Sequence, residues 1–302
     1  MLPLFQAKSQ SRFNCGLILA PIIGTIILFI AEGIAALFAV YFSSVLPKTE
    51  NLTFILELFG FIFITLIVIC WTRLIEGSPW QGFGFSKRKA LKDFIWGWIL
   101  GAGLLSLCVL IMALLGGVTF EISSLSVKTF CQLLVLIPAW SVQGHAEETL
   151  VRGWFFTSIA VKHKIVTAVI ASSLFFAAIH MGNDGLSLLP VLDLVVFGIL
   201  ASLYLLKTGS IWGISGLHAA WNCFQGNVFS FPVSGSSAGT ALIKVSQQGP
   251  DWLSGGNFGV EGSLISILVQ IIFILLLAYD LFLKKDQPAA EKVRQRVSML
   301  EE

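Results

Sequence analysis

The chain has 302 residues, of which 56% are hydrophobic and only 12% are charged, and its mean hydropathy is +0.87. Soluble domains carry about 25% charged residues, so this composition excludes an ordinary soluble protein and predicts an all-α, polytopic membrane protein. The formal net charge of +2 gives no electrostatic basis for a nucleic-acid partner. The five cysteines lie singly within apolar runs, which is not typical of a disulfide framework or a zinc ribbon.

A helix that spans a bilayer needs about 20 mostly apolar residues, and eight segments of the chain approach this requirement. They are residues 15–43, 52–74, 94–118, 130–157, 165–181, 186–206, 210–231 and 263–283. The fifth segment is short and the seventh is polar for a span. We predict a transmembrane helical bundle of about eight spans that forms a single membrane domain over residues 1–302.

The positive residues indicate how this bundle is oriented. With the N-terminus inside and eight spans, nearly all lysines and arginines fall on the cytoplasmic side. Only Lys48, Lys128 and Lys244 fall outside, and only Arg152 lies within a span. Because cytoplasmic loops are enriched in Lys and Arg, this pattern predicts cytoplasmic termini, a cytoplasmic tail at 284–302 and an extramembrane loop at 232–262. The membrane is the plasma membrane if the cell is bacterial.

Ionisable residues within spans are costly, and they usually face the interior of a bundle and serve a function. The candidates here are Glu32, Glu57, His145, Glu147, Glu148, Arg152, His180, Asp193 and His218, with Asn222 as an uncharged companion. Most of them fall on the fourth, fifth and seventh predicted spans, so we expect a polar site where these three helices meet.

The fourth span contains two adjacent carboxylates and a guanidinium. Glu148 and Arg152 are four residues apart, so they share a helix face and are expected to form a buried ion pair. Glu147 lies about 100° further round the helix and cannot easily join that pair. It therefore needs another hydrogen-bond partner, a proton or a chemical role. His145, three residues before Glu148, is placed to hydrogen-bond that carboxylate.

Two other helices carry groups that suit Glu147 as a partner. His180 follows Phe176 by four residues, and His218 precedes Asn222 by four, so each pair shares a face. Taken singly, each histidine is as well explained as a hydrogen-bonded core residue. Together with Glu147 they supply a general base, two imidazoles and an amide donor, which suffice to activate water and stabilise an oxyanion.

Three motifs follow one another on these spans: E-E-x-x-x-R at 147–152, F-x-x-x-H at 176–180 and H-x-x-x-N at 218–222. In this order they resemble the motifs of the CAAX-protease and bacteriocin-processing family of intramembrane proteases, also called CPBP or Abi. The resemblance covers about residues 90–230, which we predict to be a CPBP-like catalytic core.

The resemblance implies a role for each motif residue. Glu147 would activate water with help from His180, and His218 with Asn222 would form the oxyanion site. Glu148, Arg152 and Phe176 would support them. The implied activity is hydrolysis of a peptide bond in a membrane-associated peptide or protein, and the implied partners are the lipid bilayer and that substrate.

Zinc is the one candidate cofactor. Glu147, His180 and His218, with water as a fourth ligand, have the composition of a catalytic zinc site. They come from three spans, unlike H-E-x-x-H, in which two ligands share one helix. The family has been described as metalloproteases, and a metal-free, glutamate-driven mechanism is the rival that we favour.

Two other functions fit the same pattern. One is a non-catalytic bacteriocin-immunity or binding protein that keeps the fold. The other is an ion-coupled transporter, which Glu32, Glu57 and Asp193 favour because buried carboxylates can relay protons. Against a transporter, the sequence contains no inverted repeat with paired broken helices.

Overall fold

The computed structural model describes residues 2–48, 51–87, 89–122 and 127–283. The protein is mostly helical, as predicted, and each of the eight predicted segments contains a helix. The α-helices are α1 Pro3–Lys8, α2 Leu19–Val45, α3 Leu52–Gly60, α4 Ile62–Cys70, α5 Ala90–Leu114, α6 Val127–Glu148, α7 Thr157–Ala160, α8 Ile165–Ala178, α9 Leu188–Thr208, α10 Ile211–Cys223, α11 Asp251–Ser254 and α12 Leu264–Ala278. The predicted tail at 284–302 lies outside the described residues.

Several helices continue into stretches with wider or tighter turns. The π-helical stretches are Trp71–Ile75, Thr149–Phe156, Phe224–Val228 and Tyr279–Leu283, and the 3-10 stretches are Trp80–Phe83, Gly256–Phe258 and Val260–Gly262. One π stretch begins at Thr149, directly after Glu148, and another begins at Phe224, two residues after Asn222. Such π segments occur frequently at functional sites.

Five helical segments are long and apolar enough to cross a membrane: Leu19–Val45, Leu52–Ile75, Ala90–Leu114, Leu188–Thr208 and Leu264–Leu283. The three other predicted segments, which contain α6, α8 and α10, carry the three motifs. Helix α8 has only 14 residues, and α10 is buried almost along its whole length. Helix α10 can be polar because the neighbouring helices enclose it, whereas α6 and α8 bury their motif residues and expose apolar side chains such as Phe130 and Ile170.

Helix α10 is held between α5 and α6 by glycines. A methyl group at Gly97 would overlap the carbonyl oxygen of Gly213, and one at Gly101 would overlap that of Leu217. On the other side, a methyl group at Gly144 of α6 would lie 2.7 Å from the backbone nitrogen of Ala219. Small residues at helix interfaces allow backbones to approach closely in membranes. This packing brings the motif residues of α6 and α10 together.

A second buried interaction fixes the N-terminal segment. Lys8 and Glu76 form an ion pair in which neither side chain is exposed. The other Glu76 oxygen accepts hydrogen bonds from the indoles of Trp71 and Trp154, at 3.0 and 2.7 Å. Because Trp154 belongs to the π stretch that follows Glu148, α1 is tied to the helix that carries the first motif.

A small sheet was not predicted. Strands β1, Val118–Ile122, and β2, Ile243–Gln247, pair antiparallel, with Phe120 opposite Val245. Strand β2 lies in the predicted loop 232–262, which also contains α11 and two 3-10 turns. The loop is therefore folded against the end of the bundle, and it reaches the site described below.

The glycine packing of α5 against α10 predicts the effect of one methyl group. We expect Gly101→Ala to lower the apparent Tm in detergent, since overpacking costs about 1–3 kcal/mol. Gly103 on the same helix has no neighbour within 4 Å, so Gly103→Ala is the matched control. It should leave the Tm unchanged or raise it, because alanine exceeds glycine in helix propensity by up to about 1 kcal/mol. The Tm values are measured by intrinsic tryptophan fluorescence. Equal values for the two variants would contradict this packing.

Candidate active site

A cavity of about 290 Å³ lies where α2, α3, α6, α9 and α10 meet the loop 232–262. Its polar lining residues are Glu32, Glu57, Gln143, Glu147, His180, Asn183, Asp193, His218, Asn222, Ser234, Ser236, Ser237 and Glu261. The wall of this one cavity therefore includes residues from three separate segments, namely Glu147, His180, and the pair His218 and Asn222. Phe176, Phe197, Trp140 and Trp221 contribute aromatic surface to the same wall.

The Glu148 carboxylate joins two motifs. Its Oε1 atom accepts from Nη1 of Arg152 at 3.2 Å and from Nδ1 of His218 at 2.9 Å. The side chains of Glu148 and Arg152 are fully buried, so the predicted ion pair is present in a low-dielectric setting. Because a carboxylate only accepts, Nδ1 of His218 carries the proton in this contact. Glu148 thereby fixes the orientation of the His218 ring.

Arg152 is balanced by aromatic faces as well as by Glu148. Its guanidinium carbon lies 4.5 Å from the ring centroid of Phe176 and 5.9 Å from that of Phe197. Cation–π contacts are strongest when the cation is desolvated, as it is here. The Phe176 ring also lies 4.7 Å from His180 and 5.9 Å from His218. The aromatic residue of the second motif thus contacts an ionisable side chain of each of the three motifs.

A chain of amides connects Glu147 with Asn222. Gln143 Nε2 donates to Glu147 Oε1 at 2.7 Å, and Asn222 Nδ2 donates to Gln143 Oε1 at 3.0 Å. The carboxylate can only accept, so it fixes the direction of both amides. Two buried acceptors on the cavity wall then have no hydrogen-bond partner among the described residues: Glu147 Oε2 and Asn222 Oδ1.

The two histidines present free Nε2 atoms in this arrangement. His180 lies in the turn after α8, and its Nδ1 donates to the carbonyl oxygen of Phe176 at 2.8 Å. This bond leaves Nε2 as the free ring nitrogen. His218 Nε2 lies 3.6 Å from Glu147 Oε2, beyond a direct hydrogen bond but within electrostatic contact. His218 thus lies between Glu147 and Glu148, with one ring nitrogen facing each carboxylate.

The loop 232–262 adds residues that the motifs do not contain. Glu261 Oε2 accepts from the backbone nitrogen and the hydroxyl of Ser234, at 2.9 and 2.8 Å. The carbonyl oxygen of Ser234 accepts from Asn183, three residues after His180. Burial raises the pKa of the Glu261 carboxyl above its ordinary value, while the hydrogen bonds from Ser234 act in the opposite direction.

Sequence analysis missed Gln143, Ser234 and Glu261. For Gln143 the signal was available, because it precedes Glu147 by four residues on an apolar helix. For Ser234 and Glu261 there was none, since a polar, Gly/Ser-rich loop gives no indication of where it folds back.

One other expectation was wrong. His145 does not bond Glu148: its Nδ1 lies 2.9 Å from the Ser215 hydroxyl, and its ring stacks on Trp212. The carboxylates at positions 32, 57 and 193, considered above as features of a transporter, line the same cavity as the motif residues. Asp193 accepts a hydrogen bond from Gln270 of α12 at 2.8 Å.

A catalytic zinc centre needs three protein ligands that converge on one point. Within the part of the chain that the structure describes, no three His, Cys, Asp or Glu side chains converge as such a set. The two histidines would suit a metal, because Nδ1 of His218 donates to Glu148 and Nδ1 of His180 to a backbone carbonyl, which leaves each Nε2 free. It is the placement of Glu147, His180 and His218 that does not fit a zinc centre, and no step below depends on a metal.

The fold and the cavity define a class: a helical membrane protein with a buried glutamate, two histidines and an asparagine around an internal cavity. Residues 129–224 match the family described as Type II CAAX prenyl endopeptidase Rce1-like. This match covers about a third of the chain, includes all three motifs and supports the resemblance to the CAAX-protease family that they indicated. No curated protein and no solved structure matches the chain. Its apolar helices and this family identify an integral membrane protein.

The buried Glu148–Arg152 pair predicts a large effect of removing the cation. We expect Arg152→Met to reduce the stability of the protein by about 3–5 kcal/mol, because Glu148 would lose its strongest partner without access to water. The control is Lys207→Met, which breaks a partly exposed pair with Asp280 (side chains 38% and 28% exposed). Such pairs contribute at most about 1 kcal/mol. Equal decreases of apparent Tm and of membrane yield for the two variants would contradict the prediction.

Proposed function

We propose that the protein is an intramembrane endopeptidase that hydrolyses a peptide bond in a membrane-associated peptide or protein. The observation that carries this proposal is the convergence of Glu147, His180, His218 and Asn222 on one cavity wall. The family match over residues 129–224 supports a protease of the CAAX type. A water-filled cavity within a helical bundle is a setting in which polar groups and hydrolysis are tolerated at membrane depth.

Glu147 is the general base in this mechanism. Its Oε2 atom is buried and has no hydrogen-bond partner among the described residues, while Oε1 accepts from Gln143. A water molecule between Oε2 and Nε2 of His180 would be oriented by both acceptors. Glu147 removes its proton as the oxygen adds to the peptide carbonyl carbon. General bases held in this way typically contribute about 10²–10⁴ in rate.

His218 and Asn222 stabilise the tetrahedral oxyanion. His218 is placed between two carboxylates, and in its imidazolium form Nε2–H donates to the oxyanion while Nδ1–H remains on Glu148. Asn222 Nδ2 uses one hydrogen on Gln143 and keeps a second for the oxyanion. Donors that are fixed before the reaction provide much of the rate enhancement in acyl transfer. Collapse of the intermediate breaks the C–N bond, and the amine leaves with the proton that Glu147 had taken.

Glu148, Arg152 and Phe176 are positioning residues. They hold His218 and balance its charge through the contacts described above, without touching the substrate. We extend the catalytic core to residues 90–230, since α5 supports α10 directly. The distribution of Lys and Arg supports cytoplasmic termini in this assignment.

The role of Glu147 predicts the behaviour of an isosteric variant. We expect Glu147→Gln to reduce cleavage of a quenched fluorescent membrane peptide by at least about 10²-fold, because the amide cannot accept the proton from water. Its apparent Tm should stay close to that of the wild type, since Gln143 can still donate to the amide oxygen.

The matched control is Glu121→Gln on β1, an exposed carboxylate paired with Lys244 outside the cavity. It should retain full activity. Full activity in a folded Glu147→Gln variant would refute the mechanism. Absence of cleavage by the wild type across a peptide library would instead favour the non-catalytic immunity or binding function.

The donor geometry predicts that cleavage does not require zinc. Activity of the purified protein should persist after dialysis against EDTA or 1,10-phenanthroline, and added zinc should not increase it. Loss of activity with the chelator, followed by recovery with zinc but not with magnesium, would show that the side chains rearrange around a metal in the active protein.

A further inference from the structure

The proposed active-site cavity contains more carboxylates than hydrolysis needs. Besides Glu147, its lining includes Glu32 of α2, Glu57 of α3, Asp193 of α9 and Glu261 of the loop. No lysine or arginine is found among the described residues that line it. The two histidines are the only lining groups, within this described set, that can carry a positive charge.

These carboxylates fall into two groups. Glu147, Asp193 and Glu261 each accept a hydrogen bond from a protein donor, namely Gln143, Gln270 and Ser234. Glu32 and Glu57 have neither an ion-pair partner nor a hydrogen-bond donor in the described part of the chain, and both side chains are exposed to the cavity. They lie on α2 and α3, which pack against each other.

Their position in the sequence makes the absence of a partner significant. Glu32 is near the middle of the 27-residue helix α2, which is long and apolar enough to span the membrane. A carboxylate at such a depth is expensive unless it meets a cation or has a function.

A second observation concerns the unpartnered buried atoms of the lining, among which acceptors outnumber donors. In the described part of the chain they are two acceptors, Glu147 Oε2 and Asn222 Oδ1, and one donor, Trp221 Nε1. The Glu147 side chain is only 9% exposed, and residue Asn222 only 3%. Because the Glu147 carboxylate fixes the amide direction of Gln143 and then of Asn222, these acceptors cannot be satisfied by an amide flip.

We propose that the cavity selects a substrate segment with a lysine or arginine side chain, which Glu32 and Glu57 bind while the neighbouring peptide bond lies at Glu147. This inference rests on the proposed endopeptidase function and adds its substrate class. A cationic side chain supplies the charge that Glu32 and Glu57 lack, and a guanidinium or ammonium supplies the donors. A volume of about 290 Å³ is at the low end for ligand pockets. It therefore admits a short stretch of chain, and an acidic side chain there would be repelled.

The test measures binding and cleavage separately. Three ten-residue, N-terminally dansylated Leu/Ala peptides differ only at a central position, which is lysine, norleucine or glutamate. The affinities of the peptides are measured by fluorescence anisotropy on the Glu147→Gln protein, which should not cleave them. The detergent is dodecyl maltoside without added lipid, so that no lipid amine competes for the carboxylates. We expect the lysine peptide to bind at least about tenfold more tightly than the norleucine peptide, with the glutamate peptide weakest.

Charge removal assigns the preference to the two glutamates. Adding Glu32→Gln and Glu57→Gln should reduce the ratio of lysine to norleucine affinities to below about threefold, whereas adding the exposed control Glu121→Gln should leave it unchanged. The norleucine peptide should bind all variants alike. Three results would overturn the inference: equal affinities of the three peptides for the Glu147→Gln protein, no binding of any of them, or an affinity ratio that is unchanged by the added Glu32→Gln and Glu57→Gln substitutions. The first two results need only the Glu147→Gln protein, so the test remains decisive even if the variant with the added substitutions does not fold.

Cleavage distinguishes this inference from the function on which it rests. If wild-type protein cleaves all three peptides at equal kcat/KM and Glu147→Gln does not, the endopeptidase stands and the preference for cations fails. If the lysine peptide binds selectively but no peptide is cleaved, the preference stands and the endopeptidase fails.

Discussion

The arrangement of the site depends on one oxygen atom. Glu148 Oε1 accepts hydrogen bonds from the Arg152 guanidinium and from Nδ1 of His218, and the Glu148 side chain is fully buried. A buried carboxylate is stable only when its charge is paired and hydrogen-bonded. Meeting this requirement ties α6 to α10, fixes the His218 ring and directs its second nitrogen toward Glu147. Arg152 in turn holds the Phe176 ring of α8, so the geometry of all three motifs follows from one buried charge.

Burial of the motif residues makes such a charge tolerable. Helix α10 is almost wholly buried, while α6 and α8 bury their motif residues and expose apolar side chains such as Leu134 and Ile170. Glycines on α5, α6 and α10 allow the backbones of these helices to lie in direct contact. The close contact of these helices leaves a cavity beside them on which the motif side chains converge.

The cavity extends the site beyond the family motifs. Helices α2 and α3 contribute carboxylates without partners among the described residues, and the loop 232–262 contributes Ser234 and Glu261. These elements lie outside the matched residues 129–224. The matched segment thus supplies the proposed chemistry, while the surrounding chain sets the charge and shape that a substrate meets. This division agrees with the general rule that specificity arises from a few polar groups placed around a mainly apolar pocket.

The sequence by itself determined the membrane-helical class, the position of all eight helical segments, the three motifs and the pairing of Glu148 with Arg152. These properties depend on composition and on spacings of four residues, which are local. Only the tertiary structure decided that His218 binds Glu148, that Gln143 connects Glu147 with Asn222, that His145 turns to Ser215, and that Glu32, Glu57 and Glu261 share the cavity. These contacts join residues on different elements or depend on which helix a face packs against. Helical periodicity gives the direction of a side chain but not the neighbour that it meets.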